Sequence, residues 1–183
     1  NWKMDIVEGS GLPFGRFYAT KFVSALAVAT YVAENFDRLY RETKLWRDTW
    51  CDSTLPWWFL DRTMVNTSIL ATSTCCRFKS GRFYSDEGVG CCGGTCGHVW
   101  HYAHAPARLF PEFERDLHER MDFGRAQKAD GSIMFRGDHR GFYLIAVDSQ
   151  AGYILRALRE HQMSKDSTWL KSLWPKIKLA QQY

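Results

Sequence analysis

Gly81-Arg-Phe-Tyr-Ser-Asp-Glu-Gly-Val-Gly-Cys-Cys-Gly-Gly-Thr-Cys-Gly-His-Val-Trp-His-Tyr102 is the stretch around which the chain is organised. Five Gly and three Cys fall between Gly88 and Gly97, a carboxylate pair (Asp86, Glu87) stands just before them, and two His and a Trp follow. Glycine at this density lets the backbone turn sharply and approach a ligand closely. Polar groups on such loops carry function more often than those on the elements they join. The stretch therefore looks like half of an active site.

Outward from it, helical periodicity dominates. Upstream, Phe22, Leu26, Ala29, Val32, Ala33, Phe36, Leu39 and Tyr40 recur at steps of three and four and predict a helix from Phe17 to about Trp46. Ser53-Thr54-Leu55-Pro56 signals the start of a second, to about Cys75, with apolar residues around much of its circumference. Arg77 to Ser85 predicts a brief hairpin around Ser80-Gly81. Downstream, a third helix runs from Thr95 or Gly97 to Met121, kinked or split at Ala105 by Pro106, with Pro111 raising the same question. Residues 122–147 predict a long loop with short strands. Helices follow over about Ser149–His161 and from Ser167 to the end, and residues 1–16 are punctuated by Gly9, Gly11, Pro13 and Gly15. The expectation is a mainly α fold of five helices, with long Gly-rich loops that suit a toroid of helical hairpins with a site at one end.

Composition narrows the function classes. A chain of 183 residues with 45% apolar and 15% aromatic content can bury one core and is not disordered. A net charge of +4, from 24 basic and 20 acidic residues, is too mild and too scattered for a nucleic-acid surface. No apolar run reaches about 18 residues, so no membrane span is expected; the best, Phe22 to Val32, carries Ser24 and Thr30. No basic-then-apolar leader precedes it, and a cytoplasmic location is expected. The chain does not open with Met, and Trp174, Ile177, Leu179 and Ala180 still run at helical spacing near its end. Residues 1–183 are accordingly expected to be a fragment of one catalytic domain, truncated at both ends, whose partner is the remainder of that domain.

Glu87, at the edge of the glycine loop near Tyr84 and His98, suits a nucleophile or general acid/base; Asp86 competes with it, and spacing does not separate them. Cys91, Cys92, Cys96, His98 and His101 form C-C-x3-C-x-H-x2-H, unlike the paired C-x2-C of structural zinc sites, and no metal or cofactor is expected. A zinc-supported interaction module remains the reading this cluster would favour. The six Cys are expected to be free, mostly buried thiols. Trp57 and Trp58 are expected in the core, whereas Trp100 beside the loop suits a sugar face. Arg136, Asp138 and Asp148 complete the polar candidates, with helix capping as the plainer role for Asp148.

Leu55-Pro-Trp-Trp-Phe59, Asn66-Thr-Ser-Ile-Leu70, Gly81 to Val89, Thr95-Cys-Gly-His-Val-Trp-His-Tyr102 and Leu109-Phe-Pro-Glu112 together resemble glycoside hydrolase family 116, which includes the non-lysosomal glucosylceramidases. Asp130-Gly-Ser-Ile133, Asp148-Ser-Gln-Ala151 and Leu173-Trp-Pro-Lys176 follow in the same order, so that the resemblance covers about residues 45–183. It implies part of an (α/α)6 barrel with short β-hairpins at the active-site end. It also implies a retaining β-glycosidase acting on a carbohydrate substrate through a covalent glycosyl-enzyme, with Glu87 as nucleophile. The acid/base Asp would lie beyond Tyr183, so this piece alone would be inactive. His98, Trp100, His101, Arg136 and Asp148 are the implied substrate-binding set. The chain departs from many members at Gly97-His98-Val99-Trp100, where they have Tyr-Asp-Val-His. It departs again at Met134-Phe135-Arg136, where they have a Pro-His-Asp run, and in Cys91-Cys-Gly-Gly-Thr-Cys96. These departures bear on which sugar is accepted more than on Glu87. A carbohydrate-binding relative that has lost catalysis is the alternative.

Overall fold

The computed structural model describes residues 15–139 and 143–183. The expected loop over residues 1–14, with Gly9, Gly11 and Pro13, lies outside them. The described chain is mainly helical, with eight α-helices rather than five and one small antiparallel hairpin.

The extra helices come from breaks that periodicity does not reveal. Phe17–Thr20 is a short 3-10 turn. Ser24 then caps α1 (Ala25–Glu34) by accepting the Ala27 N–H at 3.1 Å, and Asn35 separates it from α2 (Phe36–Cys51). An N-cap hydroxyl of this kind contributes about 1 kcal/mol. None of the residues of α1 or α2 is buried, so their apolar stripe faces outward.

The expected Pro56–Cys75 helix is α3 (Trp57–Thr63) followed by a 3-10 segment, Val65–Ala71. Thr63, Thr67 and Thr72 each return their hydroxyl to a carbonyl three or four residues back, at 2.5–2.7 Å, which competes with a regular helix. Leu60 is the buried residue of α3, whereas Trp57 and Trp58 are 70% and 67% exposed, not core aromatics as expected.

The hairpin forms where expected. β1 (Cys75–Arg77) pairs with β2 (Phe83–Ser85), Cys76 opposite Tyr84, and Gly81 takes the left-handed conformation of the turn (φ 84°).

Beyond the glycine loop come α4 (Gly97–Tyr102), α5 (His104–Leu109) and α6 (Pro111–Leu117). The breaks fall at Ala103 and Phe110, not Ala105. Pro106 sits in the first turn of α5 and Pro111 opens α6, positions where the missing N–H has no helical partner to lose. The helix then widens to π geometry over His118–Arg125, with Ala126 N–H reaching Met121 O at 2.8 Å. After isolated bridges Gln127–Ile133 and Met134–Ile145, α7 (Val147–Gln162) and α8 (Thr168–Gln182) close the fold.

The core joins β2, α4, the α6–π run, α7 and α8 through Phe83, Trp100, Leu117, Phe123, Ile133, Tyr153, Leu173 and Ile177. Each large side chain buried there contributes about 1.5–3 kcal/mol of transfer free energy. Gln150 anchors the adjoining loop: its amide oxygen accepts Ile133 N–H, and its amide group donates to Gly131 O and Ala180 O at 3.0 and 2.8 Å.

Two ionic clusters sit inside this frame. Arg156 of α7, 3% exposed, bonds Glu114 Oε1 at 2.8 Å and Asp122 Oδ2 at 3.2 Å. Arg159 also reaches Glu114, and His118 lies between the two carboxylates. Burial opposes ionisation of Glu114, but Arg156 and His118 hold its carboxyl well below the usual range. The second cluster, around Asp138, holds the glycine loop.

Among the described residues no helix is long and apolar enough to cross a membrane.

Candidate active site

β2 delivers the chain to the site with alternating faces. Tyr84 turns its hydroxyl inward, where it accepts the Gly94 N–H at 3.0 Å and shares a hydrogen bond with Asp86. Burial first, then the Asp86 charge, push the Tyr84 hydroxyl well above its ordinary pKa. Asp86 is thus turned back on the hairpin. Glu87 faces the other way, in an ion pair from its Oε1 to Arg136 Nη2. The structure separates the two carboxylates that spacing alone left equivalent.

Glu87 is also held through its backbone. Its backbone N–H bonds Cys91 O and Cys92 O, both at 3.2 Å, closing the loop on itself. Burial first, then the nearby Glu87 carboxylate, push the Cys96 thiol up to about 11.

The loop between Glu87 and α4 keeps its shape under local strain. Cys92 and Thr95 have positive φ (53° and 55°), which is uncommon outside Gly and an outlier for β-branched Thr. Such a residue costs about 1–3 kcal/mol and persists only when its surroundings over-determine it. Three bonds do so at Thr95. Its N–H reaches Ser85 O at 2.9 Å, its hydroxyl donates to Asp138 Oδ2 at 3.1 Å, and the same hydroxyl accepts Ser85 N–H at 3.3 Å. Asp138 is anchored by a two-pronged pair with Arg82, both contacts at 2.8 Å, and by Arg125 Nε at 3.1 Å. Asp138, a polar candidate from sequence, is therefore the buried peg under the loop.

Arg136 ties the second segment to the first. Besides Glu87, it donates to Cys92 O at 2.7 Å and Gly93 O at 3.1 Å, and its guanidinium lies 5.4 Å from the centre of the Phe135 ring. The Phe135 ring meets the His98 ring edge-on at 4.7 Å. His98 Nδ1 bonds Asp148 Oδ2 at 2.6 Å. That hydrogen bond first, with the Ser149 backbone N–H, holds the Asp148 carboxyl below its ordinary value. Asp148 lies in the first turn of α7, where an anion is favoured. Glu87, Arg136, Phe135, His98 and Asp148 thus form one continuous chain of contacts. It joins the hairpin exit, the Gly-rich loop and the facing ends of α4 and α7.

Two sequence candidates lie elsewhere. Trp100, expected to present a face to a sugar, is 2% exposed. Its ring N–H donates to Ser85 Oγ at 2.7 Å, and its indole meets Phe83 edge-on at 4.8 Å in the core. His101 faces α7: Nε2 meets Ser149 O at 3.1 Å, and the ring packs edge-on against Tyr153 at 5.2 Å. Burial, assisted by Arg156, pushes it down to about 4, so it packs as a neutral imidazole. The close approach of α4 to α7 requires Gly97 and Gly152. A side-chain carbon at Gly97 would collide with the Tyr153 hydroxyl, and one at Gly152 with the His101 ring.

The Cys and His run does not converge. Cys91 and Cys92 are exposed, Cys96 is buried, His98 turns to Asp148 and His101 to Ser149. Among the described residues no three His, Cys, Asp or Glu side chains are placed to hold a metal ion. Sequence reasoning missed the Arg156 cluster, which had a signal: Glu114, His118 and Asp122 recur every four residues along one helical face.

No protein-family model matches the chain. No curated protein matches it.

Proposed function

We propose that this chain carries the nucleophile half of a retaining β-glycosidase site, within a helical toroid of the (α/α)6 type completed by further chain. The observation that carries the proposal is the position of Glu87. It is a partly exposed carboxylate at the exit of a hairpin, with its backbone clamped by the glycine loop and its Oε1 held by Arg136. A glycosidase nucleophile needs that placement, with one oxygen fixed and the carboxylate otherwise free to approach an anomeric carbon. The resemblance described above assigns the same residue independently of the geometry.

In this reading Glu87 attacks the anomeric carbon and the leaving group departs with a proton. Water then releases the sugar from the glycosyl-enzyme. A second carboxyl about 5–5.5 Å from Glu87 supplies and later withdraws that proton; it would come from chain beyond Tyr183. His98, oriented by Asp148, and Arg136 are the groups placed to hold sugar hydroxyls. Hydrogen bonds from charged groups to those hydroxyls strengthen as the oxocarbenium ion develops. Trp100 and His101 support α4 from behind and touch no sugar.

The same ion pair also favours a second reading, a carbohydrate-binding relative without catalysis, because Arg136 neutralises the charge that would attack. Glu87→Gln in the longer protein, assayed on a panel of fluorogenic β-glycosides, separates the two. The glycosidase reading predicts wild-type turnover and its loss in the variant. Undiminished turnover in the variant removes Glu87 as nucleophile, and sugar binding without turnover in both proteins favours the second reading.

A further inference from the structure

The chain contains two pairs of adjacent cysteines, and the fold treats them in opposite ways. Cys75 and Cys76 lie in β1, where successive side chains point to opposite faces of the strand. Both are partly buried, and burial pushes the Cys76 thiol up to about 11. Cys91 and Cys92 lie at the outer bend of the glycine loop, and both are exposed. The left-handed backbone at Cys92 (φ 53°) turns the second side chain back beside the first, and the Cys91 thiol donates to Cys92 Sγ with the sulfurs 3.2 Å apart.

We propose that Cys91 and Cys92 form a reversible thiol–disulfide site, oxidised by a small-molecule disulfide, whose state is transmitted to the Glu87–Arg136 pair. The exchange balances in two steps. One thiolate attacks the small disulfide, forming a mixed disulfide and expelling one small thiolate. The neighbouring thiolate then attacks the protein sulfur of that mixed disulfide, closing the Cys91–Cys92 bond and expelling the second. The two cysteine protons end on the two small thiols, and two electrons pass from the protein pair to the reagent. Adjacent Cα atoms stand only about 3.8 Å apart. Ordinary disulfides span about 4.4–6.8 Å, so the bond formed here is one that a thiol reductant readily reopens.

The link to Glu87 is short and runs through backbone hydrogen bonds. The carbonyls of these two cysteines are the acceptors of the Glu87 N–H, and the Cys92 carbonyl also accepts Arg136 Nη1 at 2.7 Å. Closing a ring across the Cys91–Cys92 peptide turns the Cys91 carbonyl, whose carbon is a ring member, and resets the left-handed φ of Cys92, on which the position of the Cys92 carbonyl depends. The oxidised loop therefore cannot hold Glu87 and Arg136 as the reduced loop does. This holds whatever reaction Glu87 serves. Cys96 is a poor competitor, being 1% exposed, with its thiol pushed up to about 11 by burial first.

The test equilibrates the protein in oxidised and reduced glutathione, quenches with acid, alkylates free thiols and maps the tryptic peptides. The expected result is a loss of about 2 Da, two hydrogens, in the peptide Phe83–Arg108, with Cys96 alkylated and the loss reversed by dithiol reductant. Cys75 and Cys76 remain fully alkylated in the same sample. Cys92→Ser gives a stable glutathione adduct on Cys91 instead. Hydrogen exchange of the Glu87 amide should differ several-fold between the two states. Full alkylation of Cys91 and Cys92, a bond to Cys96, or equal oxidation of Cys75–Cys76 would overturn the site. Unchanged exchange at Glu87 in the oxidised protein would overturn its transmission.

Discussion

Replacing Asp138 by Ala should be among the most damaging single changes to the loop that carries Glu87. The Asp138 side chain is fully buried and receives four contacts, two from Arg82 at 2.8 Å and one each from Thr95 and Arg125 at 3.1 Å. Its removal leaves the Arg82 guanidinium buried without a carboxylate, for which a loss of about 3–5 kcal/mol is typical. Arg82 keeps the face of the Phe78 ring at 4.8 Å, which offsets about 1 kcal/mol. Arg125 is 40% exposed and turns to water at little cost. The expected loss is therefore about 3 kcal/mol. Asp138→Asn, which keeps the shape and part of the bonding, should lose about half as much. Arg82→Met with Asp138→Leu should recover much of the loss, because a buried pair replaced by packed apolar groups is often neutral. Urea denaturation followed by tryptophan fluorescence reads all three. A loss under about 0.5 kcal/mol for Asp138→Ala would refute the role of this cluster as the peg of the loop.

Three further outcomes follow from named contacts. Gly97→Ala should destabilise by about 1–3 kcal/mol, read in the same assay, because the new carbon meets the Tyr153 hydroxyl and Ser149 Oγ. Stability should also depend on pH through the Arg156 cluster. Glu114, held below its ordinary 4.5, contributes stability that is present above that pH and lost as pH falls through the folded value. At His118, burial and Arg156 lower the pKa, but the adjacent Asp122 and Glu114 carboxylates outweigh them. Raised above 6.5, His118 contributes below that value and loses the contribution as pH rises. His101 acts with the opposite sign near neutrality, so the quantity to measure is the difference between wild type and His118→Gln, which should shrink toward alkaline pH. Finally, the 183 residues alone should associate in size-exclusion chromatography and hydrolyse no β-glycoside, since Leu26, Trp57, Trp58 and Val147 leave apolar surface open.

Much of the fold was legible in the sequence where a single local rule decides the outcome. The hairpin around Ser80-Gly81 follows from alternation and one positive-φ Gly, and α7 and α8 follow from long uninterrupted periodicity. The misjudged elements turned on competing hydrogen bonds. Asn35 divides one apolar stripe into two helices, and threonine hydroxyls convert half of another to 3-10 geometry. Pro106 and Pro111 begin helices instead of breaking one. In the candidate site, residue type identified Glu87, His98, Arg136 and Asp148. It could not show that Asp86 turns inward or that Trp100 belongs to the core, because both depend on which face of β2 or α4 meets the interior. The cysteines were expected to be mostly buried, yet three of the six are exposed. A left-handed residue at Cys92 is invisible to composition.

The most direct test of the central claim is to trap the glycosyl-enzyme. Protein that carries both carboxyls of the proposed site is incubated with a 2-fluoro β-glycoside that forms the covalent intermediate quickly and hydrolyses it slowly, and its peptides are then mapped by mass spectrometry. The account predicts one sugar per chain, attached to Glu87 within the peptide Phe83–Arg108. A sugar attached to Asp86, Asp148 or any other residue, or continued turnover with no label at all, would contradict it.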